Sequence, residues 1–171
     1  MKWSKVFVIA LALSLGLYLF VFSFARVEGN SMSPHLETGD WLLLSRYEWW
    51  LSLMGQQVYR RGDIVALDPQ AKTFWTQSRA FLGFGQGTIK RIIALEGDHL
   101  RIEHGKIYLN AEVLAEPYLV SMGNFNLAEI IIPKGEVFVI GDNRQPAASR
   151  DSRQFGPVPV QTMFAKLRIK L

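Results

Sequence analysis

The stretch HLRIEHGKIYL, residues 99–109, alternates apolar and polar side chains on both sides of His104-Gly105. Alternation with a period of two is typical of a β-strand that buries one face, and a short link containing glycine favours a hairpin turn. We therefore predict a hairpin from Leu100 to Leu109, with Asn110-Ala111 beginning the next turn.

Similar short runs continue through most of the chain. They are bounded by turn pairs such as Gly39-Asp40, Gly62-Asp63 and Gly97-Asp98. Beyond residue 25, no stretch longer than two turns keeps a helical period. The sequence predicts a mostly β fold, built as a sheet-rich, partly closed barrel or sandwich of short strands. Further strands are expected at 41–44, 63–67, 89–93 and 137–140.

The N-terminal region contains an uncharged apolar run at 6–25, with Lys2 and Lys5 before it and Arg26 after it. About 20 helical residues suffice to cross a hydrocarbon core of about 30 Å. Because positive charge precedes the run, we predict a cytoplasmic N-terminus at 1–5, a transmembrane anchor at 6–25 and an extracytoplasmic domain at 26–171. The small-x-small sequence at 23–25 leaves a cleavable secretory signal open, although such signals have apolar regions of about 7–15 residues.

Composition limits the functional classes. A chain of 171 residues allows one domain plus an anchor, and the absence of cysteine excludes disulfides and thiolate metal sites. The net charge of +4 favours contact with anionic lipid headgroups. The basic residues are scattered and no nucleic-acid recognition motif is present, so we expect no nucleic-acid partner. We also expect no cofactor and no metal site, because His99, Glu103 and His104 lack a known ligand spacing.

Two residues suggest hydrolytic chemistry. Ser31 lies just after the apolar run, and a serine nucleophile requires a base. His35 is one candidate, and Lys90, among Ile89, Ile92 and Ile93, is the other. To act near pH 8, the lysine would need a pKa about two units below its usual value. Each unit corresponds to about 1.4 kcal/mol of lost stabilisation of the ammonium, and apolar surroundings can cause such a loss. Taken alone, Lys90 could equally face solvent and Ser31 could simply form a turn.

Six short motifs follow one another along the chain: GNSMSP at 29–34, RGDIV at 61–65, KR at 90–91, GD at 97–98, GDNR at 141–144 and SRDSR at 149–153. This ordered series resembles type I signal peptidases, the membrane-anchored Ser/Lys leader peptidases. The similarity covers nearly all of the chain outside the predicted anchor.

The resemblance implies a catalytic domain of the signal peptidase type that removes signal peptides from exported preproteins after small-x-small sites. It implies that Ser31 is the nucleophile and forms the acyl-enzyme, that Lys90 is the general base and that Ser149 orients the lysine amine. Two extra residues after Arg144 make Ser152 the fallback for Ser149. Polar positions expected to hold the site together are Arg91, Asp142, Asp151 and Arg153, with an ion pair between the last two.

The resemblance also assigns substrate contacts. The backbone N–H of Ser31 is the expected first oxyanion donor, and Gly29 occupies a slot where some members carry a serine, so a second donor must come from elsewhere. An extended substrate could add as a strand beside Lys90. Positions assigned to shallow pockets, or else to the ordinary core, are Val27, Met32, Leu42, Ala66 and Ile89.

The expected partners are secreted preproteins, the lipid bilayer and, transiently, the export translocon. The expected location is a bacterial plasma membrane, with an organelle inner membrane as the alternative. Aromatic side chains that could enter the membrane interface are Trp41, Trp49, Trp50 and Trp75, and Trp49-Trp50 is favoured. A non-catalytic anchored β domain that binds exported or envelope proteins is the competing function.

Overall fold

The computed structural model of the chain describes residues 2–71, 73, 76 and 87–171. Helix α1 spans Lys2–Val21, and strand β1 follows at once over Phe22–Arg26. The predicted anchor at 6–25 is therefore wrong at its C-terminal end, because Phe22 to Ala25 pair with a second strand instead of extending the helix. None of the helices formed by the described residues combines the length and the apolar character required to cross a bilayer.

The prediction of a mostly β chain is confirmed. Among the described residues, ten strands follow β1, together with two short helices and a 3-10 turn at Val160–Thr162. The helices are α2 at Tyr47–Leu53 and α3 at Ser152–Phe155. The strands are β2 Trp41–Ser45, β3 Ile64–Leu67, β4 Thr88–Ala94, β5 His99–Glu103, β6 Lys106–Leu109, β7 Glu112–Val113, β8 Leu127–Ile131, β9 Glu136–Ile140, β10 Val158–Pro159 and β11 Met163–Lys170.

The strands form two antiparallel sheets. Seven strands follow the order β1-β2-β11-β3-β4-β9-β10, and four follow the order β7-β6-β5-β8. The larger sheet ends in β1 on one side and β10 on the other, and no pairing among the described strands joins these ends. The partial closure predicted from the sequence is therefore not formed by these strands.

The hairpin predicted at 100–109 is confirmed as β5 and β6. Glu103 pairs with Lys106, so His104 and Gly105 form a two-residue loop. Both loop residues have positive φ, 48° and 80°, which is the backbone conformation that tight hairpins with the usual strand twist require.

The two sheets pack together and also hold the segment that contains Ser31. Ile93 of β4 and Phe138 of β9 share one buried cluster with Leu100 and Ile107 of the smaller sheet. A second cluster packs Met32 against the larger sheet, together with Leu36, Leu42, Leu44, Ala66 and Ala165. Burial of these side chains fixes the loop after β1 on the sheet that carries Lys90.

The aromatic residues divide between core and surface. Helix α2 packs against β11, and this contact leaves Trp49 only 2% exposed, with its indole N–H donating to the carbonyl of Gln161 at 3.4 Å. The prediction that Trp49 enters the membrane interface is therefore wrong. Trp41 and Trp50 are 52% and 39% exposed. Trp75 lies outside the described residues.

Candidate active site

Ser31 and Lys90 lie together although 59 positions separate them. Strand β4 holds Lys90 inside the larger sheet, opposite Val65 of β3, and the lysine is 1% exposed. Its Nζ lies 2.9 Å from Ser31 Oγ. The contact predicted between these two side chains is therefore formed.

Within the part of the chain that the structure describes, the amine of Lys90 has three oxygen neighbours. Besides Ser31, Nζ donates to Thr88 Oγ1 at 2.7 Å and to the carbonyl of Ile89 at 2.9 Å. None of these three oxygens is a carboxylate. Thr88 shares the Lys90 side of β4 because alternate residues of a strand face the same way.

Burial lowers the pKa of Lys90 from 10.5 to about 8. Asp151 and Asp142 act in the opposite direction through their negative charges, whereas Arg153 assists the lowering. A lysine in this range holds a useful fraction of neutral amine near pH 8 and can accept a proton.

Asp151 is the centre of a second buried group. Its carboxylate accepts hydrogen bonds from Ser149 Oγ at 2.6 Å, from the Gly141 N–H at 3.0 Å and from two guanidinium nitrogens of Arg153 at 2.8 Å. Burial raises the pKa of this carboxyl, but these hydrogen bonds outweigh it and hold the pKa below its usual range. The ion pair predicted between Asp151 and Arg153 is present.

The contact predicted between Ser149 and Lys90 is not formed within the described part of the chain. The Ser149 hydroxyl donates to Asp151, and Thr88 provides the second hydroxyl at the lysine amine. The fallback, Ser152, accepts from the Val139 N–H at 3.0 Å instead. Sequence reasoning missed Thr88, and the signal that could have found it is the two-residue spacing from Lys90.

Arg91 lies next to Lys90 on β4 and meets a different environment. Its guanidinium binds both carboxylate oxygens of Asp142, at 2.8 and 2.5 Å, and donates to the Gly62 carbonyl at 2.9 Å. The same group lies 3.9 Å above the centre of the Tyr118 ring. Of the predicted polar positions, Arg91 and Asp142 thus form a bidentate, buried pair.

The turn at 141–144 contacts the backbone of the Ser31 loop. The Asn143 N–H donates to the Ser31 carbonyl at 3.0 Å, and its side-chain amide donates to the Asn30 carbonyl at 3.1 Å. A Cβ at Gly141 would lie 2.4 Å from both the Ser31 carbonyl oxygen and Ser149 Oγ, so the position has no room for a side chain.

A buried ion pair between Arg144 and Glu116 stabilises the turn at 141–144. Arg144 Nη2 contacts Glu116 at 2.5 Å, and Arg144 Nε donates to the Gly141 carbonyl at 2.9 Å. The sequence motif GDNR included Asn143 without assigning it a role, and sequence reasoning missed Glu116. Glu116 has no sequence signal, because its partner lies 28 positions away in an irregular segment.

The backbone N–H of Ser31 donates to no group among the residues that the structure describes. An N–H group of this kind can bind the oxyanion that develops when the adjacent hydroxyl attacks a carbonyl. The preceding Gly29 has φ of +86° and contributes no side chain.

The five positions assigned to substrate pockets lie in one place. Val27, Met32, Leu42 and Ala66 belong to one buried cluster, and Ile89 packs against it while partly exposed. His35, the alternative base, has an exposed side chain, and the hydroxyl of Ser31 meets Lys90 instead. The geometry therefore favours a serine–lysine pair beside an apolar wall.

Comparisons with known proteins point to one family. The sequence profile of the family described as "Signal peptidase, peptidase S26" matches residues 1–171. The chain is 34% identical to "Probable signal peptidase I-1" of Synechocystis sp. over 81% of its own length and 65% of that protein, and 28% identical to "Probable signal peptidase I-2" over 84% and 60%. It is 31% identical to "Signal peptidase I" of Bacillus caldolyticus over 82% of its length and 74% of that protein.

The chain spans less than two thirds of the two Synechocystis relatives, 65% and 60%. The family match nevertheless covers every residue from 1 to 171, including both segments that bring the serine and the lysine together. The chain therefore belongs to the signal peptidase family, peptidase S26.

Proposed function

We propose that the protein is a serine endopeptidase that removes N-terminal signal peptides from exported preproteins after small-x-small sites. One observation supports the proposal most directly: the amine of Lys90, which is buried and has its pKa lowered to about 8, lies 2.9 Å from the hydroxyl of Ser31. Membership of the signal peptidase family supports the same reaction.

The reaction uses Ser31 as nucleophile and Lys90 as general base. Neutral Nζ takes the proton from Ser31 Oγ as the oxygen attacks the scissile carbonyl carbon, and the Ser31 N–H binds the oxyanion. The ammonium then returns the proton to the leaving amine, and the C–N bond breaks to leave an ester on Ser31. Lys90 then takes a proton from water as the water oxygen attacks this ester. The bond between the acyl carbon and Ser31 Oγ breaks, the Lys90 ammonium returns its proton to Ser31 Oγ, and the new carboxyl group leaves and ionises in solvent. Asp142, Asp151, Arg91 and Arg153 hold the surrounding backbone.

The substrate binds as an extended strand beside Lys90. Strand β4 pairs with β3 over residues 88–91, whereas β9 pairs with β4 only from Arg91 onward. Among the described strands, the β9 side of residues 88–90 therefore has no partner and can accept a peptide backbone. Small side chains of the substrate then lie against Ile89, which is partly exposed and packs on the buried cluster that contains Val27, Met32, Leu42 and Ala66.

The protein acts at the bacterial plasma membrane, with its N-terminus in the cytoplasm and the β domain outside. Large apolar side chains along α1, such as Phe7 and Leu13, are exposed, as are Trp41 and Trp50 of the β domain. In this arrangement α1 contacts lipid and β1 belongs to the catalytic domain. Transient contact with the export translocon would place the nascent preprotein within reach. Because the chain has no cysteine, single introduced cysteines labelled from either side of the membrane test this topology directly.

The deciding experiment is mass spectrometry of the products from a panel of preproteins in detergent. We expect the wild type to cut each at one bond after a small residue, and Ser31→Ala and Lys90→Ala to lose at least about 10³-fold in rate. His35→Ala is the matched control and should cleave like the wild type. Cleavage that survives Lys90→Ala, or a wild type that cuts none of the preproteins, would contradict the proposal, and binding without cleavage would favour a non-catalytic binding domain.

A further inference from the structure

The hydrogen-bonding capacity of a lysine amine restricts how Lys90 can be oriented. A neutral amine has two N–H groups and one lone pair, whereas the structure places three oxygens within 2.9 Å of Nζ. The Ile89 carbonyl can only accept, so it takes one N–H. The remaining N–H and the lone pair are then shared between the hydroxyls of Ser31 and Thr88.

Only one of these two arrangements is productive. To act as a base, Nζ must present its lone pair to the Ser31 hydroxyl. The second N–H must then be accepted by Thr88 Oγ1, which lies 2.7 Å away. Without this acceptor, the amine can rotate, donate an N–H to Ser31 and direct its lone pair elsewhere.

We propose that Thr88 is the positioning residue that turns the Lys90 lone pair toward Ser31, in place of Ser149. This inference rests on the proposed function and names a residue that acts through the base. Thr88 and Lys90 are fixed relative to one another by β4, and a β-branched side chain has few rotamers. Thr88 is also held in register opposite Leu67 of β3.

Ser149 is committed to a different contact. Its hydroxyl donates to Asp151 at 2.6 Å, and this carboxylate also binds Gly141 and Arg153. The role of Ser149 is therefore to complete the coordination of a buried carboxylate. Its loss acts on the lysine only indirectly.

The pH dependence distinguishes a positioning role from a packing role. Among the described residues, the charged groups that act on Lys90 are Asp142, Asp151 and Arg153, and none of them changes in a Thr88 variant. Thr88 accepts a stronger hydrogen bond from the ammonium than from the amine, so its removal lowers the pKa of Lys90 further. A variant that merely loosened the packing would admit water and move the pKa upward instead.

The experiment compares Thr88→Val, Thr88→Ala, Thr88→Ser and Ser149→Ala in the full-length protein. For each we would measure kcat, KM and the pH profile on a cleaved preprotein, and the titration of the Lys90 amine by ¹⁵N NMR. We expect Thr88→Val and Thr88→Ala to lower kcat at least about tenfold with a smaller change in KM, because general-base efficiency contributes about 10²–10⁴-fold. Thr88→Ser should recover most of the rate, and Ser149→Ala should lose less than Thr88→Val. The acidic limb and the NMR titration should both move to lower pH in Thr88→Val.

Three results would overturn the inference: a wild-type kcat in Thr88→Val, a larger loss in Ser149→Ala than in Thr88→Val, or an upward pKa in folded Thr88→Val. Melting temperatures identify variants that fail to fold. If Thr88→Val fails to fold, Thr88→Ala takes its place in the comparison. If the wild type cleaves no preprotein, the proposed function fails, and the NMR titration alone decides the inference about Thr88.

Discussion

Lys90 and Arg91 are consecutive residues of one strand, and both are buried cations. They face opposite sides of β4, as neighbouring strand residues do. Arg91 meets the carboxylate of Asp142 in a bidentate pair, whereas Lys90 meets two hydroxyls and a carbonyl. Burial alone therefore does not set the chemistry of a cation. The neighbouring oxygens decide whether it remains a fixed charge or becomes a base.

Substitution of the paired cation should have the largest effect on folding. Arg91→Met leaves the fully buried Asp142 carboxylate without its partner, so the free energy of unfolding should fall by about 3–5 kcal/mol. Chemical denaturation measures this loss. Arg91→Lys, which keeps a charge but not the bidentate geometry, is the control and should lose less. A loss below about 1 kcal/mol in Arg91→Met would mean that the pair contributes little to the fold.

Substitution of Lys90, the cation without a carboxylate partner, should increase the free energy of unfolding instead of reducing it. A pKa lowered from 10.5 to about 8 means that the dry site disfavours the ammonium by about 3 kcal/mol below pH 8. Lys90→Met should therefore raise the free energy of unfolding at pH 7 by about 1–3 kcal/mol while abolishing cleavage. Denaturation of both proteins under the same conditions provides the measurement.

The sign of the pH effect follows from proton binding. Between pH 8 and 10.5 the unfolded chain holds a proton on Lys90 that the folded chain has released. The free energy of unfolding of the wild type therefore rises with pH in this window, because the penalty for the buried ammonium is relieved. The stability difference between wild type and Lys90→Met should thus narrow across that window. A stability difference that stayed constant from pH 8 to 10.5 would show that folding does not lower the pKa of Lys90.

A smaller effect, on the pKa of Lys90, is expected when the charge of Arg153 is removed. Arg153 helps to lower the pKa of Lys90, so Arg153→Met should raise that pKa. The wild-type rate should rise about tenfold per pH unit below pH 8 and then level off, and in Arg153→Met the whole rise should move to higher pH. Initial rates across the pH range give the result. An unmoved or acid-shifted profile would argue against electrostatic coupling between the two groups.

The smallest effect on stability and on rate is expected at a partly exposed cation of the smaller sheet. Arg101 forms an ion pair with Glu103 and lies 4.4 Å from the centre of the Tyr108 ring, all on the smaller sheet. Arg101→Met should change the free energy of unfolding by less than about 0.5 kcal/mol and leave the pH profile in place, because exposed pairs contribute little. Thermal unfolding and the same rate assay serve as the control for the three substitutions above. A large loss here would mean that removal of any arginine destabilises this chain.

Local patterns and the family resemblance together predicted much of the fold and of the site. Alternation placed the hairpin at 100–109, and the motifs singled out Ser31 and Lys90. The end of the N-terminal helix was missed because the apolar run continues through Phe22 to Ala25 into β1 without a change in composition. Hydropathy alone does not distinguish a helix end from a strand in such a run.

The remaining errors concern long-range contacts. Whether Trp49 faces lipid or core depends on the 3-10 turn that contains Gln161 and on β11, which both lie more than 100 positions away. The exchange of roles between Thr88 and Ser149 depends on which hydroxyl reaches the amine and which reaches Asp151. Such assignments need side-chain positions, because both residues have the same functional group and both belong near the site.

The absence of a side chain at Gly141 restricts how this chain can be re-engineered. Three separate segments meet there, and even one added methyl group would have to displace a main-chain oxygen of the Ser31 loop. Designers who want broader peptide preference therefore have no freedom at this junction. Substitutions are better made at Ile89, which is partly exposed and packs on the edge of the buried cluster around Met32.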